Sequence, residues 1–320
     1  MSPTELERNK AIALRFKKNQ GTPQMPQVEK EVLAPHYNRL RGGNLHLASN
    51  ARDQDMGHPG LYLRKAIPDR VDVIEKVIAD GDRVGLLFRV TGTHTGTFFG
   101  IPPTGKKLDV YEVALLRIEN GRMVEGWFMM DEVALLQQMG ASLPPRSDGR
   151  IIPPAIPDGG EDAEALARRL AAAGPATAED RMKLVAAGSR LRPSSVAQSD
   201  YAPDYRHLRY GFHHLREYGK ARGLGDPALD RAIPDRRDRI EVLMAEGDDV
   251  WMRFVTGGTH SGALYGIPST GRRVGVSVVQ ILKFAGGKWQ SSWTFADELG
   301  LLLQLGRPDL LLGARKAEVS

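Results

Sequence analysis

The chain has no cysteine among its 320 residues. That lack excludes disulfides, thiolate nucleophiles, cysteine-bound zinc and iron–sulfur clusters, and it agrees with a reducing compartment. Long apolar runs are missing too. No stretch approaches the roughly eighteen consecutive apolar residues of a membrane span, and the opening MSPTELERNK is polar, unlike a signal peptide. These absences predict a soluble, cytoplasmic chain with no membrane partner. Runs of like charge are also absent. The net charge is +5, but lysine and arginine are scattered among aspartate and glutamate, so nucleic acid is not an expected partner. No glycine-rich phosphate loop, dinucleotide fingerprint or metal-ligand cluster is visible, so no cofactor and no metal are expected.

What is present is a repeat. GTHTGTFFGIPPTGKKL begins at Gly92 and GTHSGALYGIPSTGRRV at Gly258, an offset of 166 that also carries Ala66-Ile-Pro-Asp69 onto Ala232-Ile-Pro-Asp235. No gap is needed between Ala66 and Gly140, whereas Ala34-Pro35-x-Tyr37 meets Ala202-Pro203-x-Tyr205 at an offset of 168. Self-similarity of this length, occurring twice, means two copies of one domain rather than a solenoid. The Pro- and Gly-rich ASLPPRSDGRIIPPAIPDGG between them reads as a linker, followed by an added helix, EDAEALARRLAAA, that stops at Gly174-Pro175. The expected division is 1–143, a linker plus helix over 144–176, and 177–320.

Within each copy the order is helices first, then strands joined by tight turns. ELERNKAIALRFKKN follows Ser2 and Thr4 as capping candidates, and AEDRMKLVAAGSRL follows Thr177. The strands end in the short helices DEVALLQQMG and DELGLLLQLG. The expected class is α+β: two tandem cone-shaped α+β barrels, each with helices packed on a curved antiparallel sheet.

The glycines and prolines of the doubled phrase are those of a loop between two strands. His94 and His260 are not required by a turn. They are either buried and hydrogen-bonded structurally, or they serve as acid/base or oxyanion donors. On a strand, residues two apart share a face, so Trp127, Met129 and Asp131 group together, as do Trp293, Phe295 and Asp297. A carboxylate ending an aromatic face is a candidate general acid/base. The competing role is N-cap of the helix that follows, with the next glutamate favouring its positive end. Tyr37 with Arg41, and Tyr205 with Arg209, are candidate partners for a phenolate or enolate. The copies differ at Tyr111, Glu112, Ala114 and Arg117, which become Ser277, Val278, Gln280 and Lys283, so their ligands should differ. His213-His214, read as adjacent residues on a strand and so facing oppositely, does not suggest a metal site.

These blocks together, GTHTG, GIPPTG, Trp127, Asp131 and LLQQMG with their counterparts through LLLQLG, resemble the SnoaL-like polyketide cyclases and their ester cyclase relatives, of the nuclear transport factor superfamily. The resemblance spans roughly Tyr37 to Gly140 and Tyr205 to Gly306. It implies a cofactor-free, aldol-type enzyme with an aspartate acid/base in a hydrophobic pocket, a role that falls on Asp131 and Asp297. His94 and His260 would assist, and Tyr37, Arg41, Tyr111, Trp127, Tyr205, Arg209 and Trp293 would bind an aromatic or polyketide-like molecule. Phe128 and Thr294 stand where relatives often have an acid, and Leu40 and Leu208 where many have a histidine. The readings that follow are a cyclase, or a retro-aldol lyase acting for instance on lignin-derived diarylpropanes. The alternatives are an epoxide hydrolase or dehydratase, or a non-catalytic binding scaffold. The two copies are expected to pair as an intramolecular pseudo-dimer, and the chain is a candidate homo-oligomer. Dialysis against a chelator is expected to leave turnover unchanged; activity lost and then restored by one divalent ion would overturn this.

Overall fold

The protein is described by a computed structural model covering residues 2–52, 63, 65–144, 146, 148, 150, 160–225 and 229–312. It divides into two compact units, Met1–Ile152 with Pro308–Ser320, and Pro153–Arg307. Residues 151–159 of the expected linker lie outside the described residues.

The first helix, Pro3–Lys18, starts where local chemistry dictates. The Ser2 hydroxyl accepts from the Glu5 amide at 3.3 Å, and the Glu5 carboxylate accepts from the Ser2 amide at 2.8 Å, a reciprocal capping box. In the second unit the helix Ala178–Gly188 repeats the device with Thr177 and Asp180, both bonds at 3.1 Å. The added helix is Ala163–Ala173, capped by Asp162 and ended at Gly174.

The first unit's strands are β1 (Leu33–Arg41), β2 (Val71–Asp80), β3 (Arg83–Thr93), β4 (Lys107–Glu119) and β5 (Arg122–Met130), in the order β1-β5-β4-β3-β2. The second unit has β6 (Glu161–Asp162), β7 (Tyr201–Arg209), β8 (Arg237–Glu246), β9 (Asp249–Thr259), β10 (Arg273–Ala285) and β11 (Lys288–Ala296), in the order β6-β8-β9-β10-β11-β7. The class is α+β, but the sheets are mixed rather than antiparallel. β1 runs parallel to β5, and β7 parallel to β11. These edge strands lack an alternating apolar pattern and contain Pro35 and Pro203, which only an edge tolerates because proline cannot donate to the ladder.

The repeated phrase forms the same loop twice. Thr93 pairs with Lys107 and Thr259 with Arg273, and the loop tips close through Phe98 with Ile101 and Leu264 with Ile267. The repeated Ala-Ile-Pro-Asp explains itself here. Asp69 accepts from both the amide and the hydroxyl of Thr93 at 2.7 Å, and Asp235 does the same to Thr259 at 2.6 and 2.8 Å. Gly96 and Gly262 are required by this docking, since a Cβ on either would lie 2.2 Å from the Lys65 carbonyl oxygen or 2.4 Å from that of Arg231. Gly96→Ala is therefore expected to cost about 1–3 kcal/mol through overpacking against backbone. Urea unfolding measures it, and an unchanged midpoint would contradict the close approach.

Candidate active site

The sheet face that meets the first helix is identified by contact. The Phe128 ring lies 6.5 Å from Phe16, and Lys17 Nζ sits 3.9 Å from the Phe88 ring centroid and 5.5 Å from that of Phe128. By alternation and register, Glu112, opposite Phe88, and Ala114, opposite Phe128, share this face. Here the first unit buries four charges. Lys17 Nζ is 3.1 Å from Asp72 Oδ2, Arg70 binds both Asp72 oxygens at 2.8 and 3.1 Å, and Arg70 Nη2 is 3.9 Å from Glu112 Oε2. Burial alone would raise the Asp72 carboxyl, but Lys17 and Arg70 outweigh it and hold the group below its usual range. Two cations meet two anions, so the set is closed on itself.

The second unit keeps the frame and alters its completion. Arg190 takes the place of Lys17, its Nε 2.9 Å from Asp238 Oδ2 and its guanidinium 4.6 Å from the Phe254 centroid. Val278 replaces Glu112 and Gln280 replaces Ala114, and Arg190 Nη1 reaches Gln280 Oε1 at 3.5 Å. Arg192 adds a second cation 3.5 Å from Asp238 Oδ2, while Arg236, the counterpart of Arg70, turns to Asp230 at 2.7 Å. Burial lowers the Arg190 pKa, and Asp238 opposes that shift. The side chain of Lys17 is 3% exposed and that of Arg190 15%; buried Phe128 corresponds to half-buried Thr294. This face of the second unit is the more open of the two.

Beside it, the edge strands also differ. A Cβ on Gly126 would lie 2.1 Å from Tyr37 Oη, so glycine makes room for a phenol whose buried hydroxyl has no hydrogen-bond partner among the described residues. Burial raises the Tyr37 pKa, with Arg39 opposing. In the second unit Ser292 replaces Gly126 and His207 replaces Arg39. Tyr205 Oη is 3.0 Å from Ser292 Oγ and 3.1 Å from His207 Nε2, and Ser292 Oγ is 2.8 Å from His207 Nδ1. Burial pushes the Tyr205 phenol up to about 12. Desolvation of the ring and then Arg216 push the His207 pKa down, although the residue as a whole is exposed on the edge strand. Ser292 precedes Thr294 by two on β11, and Thr294 pairs with Gln280, so the cluster neighbours the Arg190 group on one face.

The residues singled out from sequence are distributed differently. Asp131 and Asp297, both buried, are N-caps: Asp131 Oδ1 accepts from the Ala134 amide at 3.0 Å in the helix Glu132–Met139, and Asp297 Oδ1 from the Gly300 amide at 2.9 Å in the helix Glu298–Leu305. The adjacent glutamates do not serve their own helices alone. Glu132 accepts from the amides of His46 and Leu47 at 3.1 and 2.9 Å, and Glu298 from those of His214 and Leu215 at the same distances. Trp127 and Trp293 lie on the face opposite Phe128 and Thr294, under Arg41 at 5.6 Å and Arg209 at 5.5 Å. Tyr37 and Arg41 are thus on opposite sides of β5, as are Tyr205 and Arg209 across β11, and neither forms the expected pair. Tyr111 shares the Trp127 side, and its carbonyl accepts from the Asp131 amide at 2.9 Å. His213 and His214 begin a helix, His213–Lys220, rather than sitting on a strand. Among the described residues no group could hold a metal ion.

Sequence reading missed Lys17, Asp72, Arg190, Asp238 and Ser292, and gave His207 no role. A usable signal existed, since the first helices align at an offset of 173 and retain a cation at Lys17 and Arg190.

A family model described as SnoaL-like polyketide cyclase matches residues 62–139 and 198–305, more than half of the chain. Among solved structures, a SnoaL-like polyketide cyclase from Jannaschia Sp. CCS1, titled "putative", is 25% identical over 45% of this chain and 98% of its own, with a TM-score of 0.37. AclR from Streptomyces galilaeus, titled "a putative hydroxylase", is 26% identical over 42% and 97%, with a TM-score of 0.35. IdmH from Streptomyces antibioticus, titled "a putative polyketide cyclase", is 22% identical over 42% and 99%, also at 0.35. No curated protein matches. No helix among the described residues is long and apolar enough to cross a membrane.

His94 and His260 are fully buried, each with Nδ1 3.0 Å from a threonine hydroxyl, Thr104 or Thr270. Desolvation lowers both pKa values from 6.5. Above that value the folded and unfolded states are both neutral there. As pH falls through it the unfolded chain binds protons first, so stability is lost from about pH 6.5 downward. Urea unfolding of the wild type should weaken between pH 7.5 and 5.5, and less so in a His94→Gln/His260→Gln variant. Equal slopes would show that the histidines are not desolvated.

Proposed function

The chain belongs to the SnoaL-like polyketide cyclase family, and on that premise we propose that it is an acid/base enzyme needing no cofactor, which makes or breaks a carbon–carbon bond in an aromatic, polyketide-like small molecule on the helix-facing side of its second unit. The observation that carries this reading is the hydrogen-bonded group Tyr205, Ser292 and His207 beside Arg190 and Gln280.

In the cleaving direction, neutral His207 takes the proton of a β-hydroxyl group. The oxygen's electron pair forms the aldehyde C=O, the Cα–Cβ bond breaks, and its electrons pass to the neighbouring carbonyl as an enolate. Arg190 and Gln280 supply donors for that oxygen. The proton returns to Cα through the Tyr205 and Ser292 hydroxyls. Ring closure is the same sequence reversed. A second reading, favoured by the burial of both groups at strand ends, gives the proton transfer to Asp297 and Asp131.

A naphthyl β-hydroxy ketone that releases a fluorescent naphthaldehyde separates the two. His207→Gln is expected to lower turnover by about a hundredfold or more, the usual worth of a positioned base, and Tyr205→Phe by a lesser factor. Asp297→Asn and Asp131→Asn, which keep much of the cap, should stay within about threefold. Full activity in His207→Gln with loss in Asp297→Asn would transfer the role to the cap.

A further inference from the structure

We propose that the second unit alone holds a ligand-binding site, one per chain, and that its ligand carries a carboxylate or enolate oxygen next to a hydroxyl donor. The inference rests on the reading above for where the chemistry happens, but it is carried by the difference between the two buried charge groups.

In the first unit every charge has its complement. Lys17 and Arg70 face Asp72 and Glu112, all four side chains are at most 7% exposed, and Phe128 covers them. An entering anion would meet the Glu112 carboxylate and find both cations engaged. In the second unit Val278 removes that carboxylate. Arg190 and Arg192 both spend a donor on the same oxygen, Asp238 Oδ2. Arg190 Nη2 and the Gln280 amide nitrogen make no hydrogen bond among the described residues. Two donors are therefore left without a protein partner in the neighbourhood of Val278, which stands where the first unit has Glu112, and an oxygen anion satisfies both.

The other oxygen of the same carboxylate supplies the second half. Asp238 is 5% exposed, and its Oδ1 is buried with no hydrogen-bond partner among the described residues. A buried carboxylate oxygen left bare is costly, and it asks for a donor. A hydroxyl adjacent to the anionic oxygen meets that demand while the anion meets Arg190 and Gln280. Half-buried Thr294, where the bulkier Phe128 stands in the first unit, leaves space beside this group for a ring.

Calorimetric titration tests this with 3-hydroxy-2-naphthoate, 2-naphthoate and methyl 2-naphthoate as probes. The expected result is one site per chain, with affinity falling in that order and the ester at least about tenfold weaker than the hydroxy acid, the scale of one lost charge-assisted hydrogen bond. Arg190→Met and Val278→Glu should each weaken the hydroxy acid by about tenfold or more, the second by restoring the first unit's closed pattern. Glu112→Gln should change nothing, and thermal unfolding confirms that each variant is folded. Two sites per chain, equal binding of acid and ester, or indifference to Val278→Glu would overturn the proposal. Because binding is read without turnover, loss of activity in His207→Gln with unchanged binding leaves this site standing, whereas retained activity in His207→Gln counts only against the catalytic assignment.

Discussion

One interaction recurs in both units: a cation at the C-terminal end of a helix or just beyond it, over a phenylalanine ring, held by an aspartate on the neighbouring strand. Lys17 with Asp72 over Phe88, and Arg190 with Asp238 over Phe254, join the helical segment to the sheet at a defined position. A buried pair of this kind contributes little net stability against a hydrophobic replacement, yet removing one partner strands the other charge. The helix register is consequently fixed, and with it the side of the sheet on which everything else is arranged. The first unit completes the pair with Arg70 and Glu112 and closes. The second has Val278 where the first has Glu112, and its Arg236 turns to Asp230 instead.

The legible part of this architecture was the part with local causes. Helix starts were readable because Ser2 and Thr177 are followed at the right distance by Glu5 and Asp180. The antiparallel hairpins were readable from apolar strands separated by glycine turns. The division into two copies followed from a repeat that runs without a gap for 75 positions, Ala66 to Gly140.

The parts that were not legible depend on contacts distant in sequence. β1 and β7 carry prolines and polar residues, and their parallel pairing requires a crossover around the whole unit, which no local pattern reports. Which face of the sheet receives the helix was not legible for a related reason. Trp127 and Phe128 are both aromatic and both buried, so alternation identifies two faces without saying which one receives the helix. Lys17 and Asp72 look like surface charges until the fold buries them together. Asp131 and Asp297 were correctly seen to have a capping role available, and both take it.

The pairing of Gly126 with Tyr37, and of Ser292 with Tyr205, has an evolutionary consequence. In an assembly of identical subunits any substitution appears in every copy, so a serine beneath one tyrosine would stand beneath all of them. Two repeats encoded in tandem remove that coupling. One copy can then change while the other does not. The glycine beneath Tyr37 and the serine beneath Tyr205 mark a position where the two copies have diverged in this way.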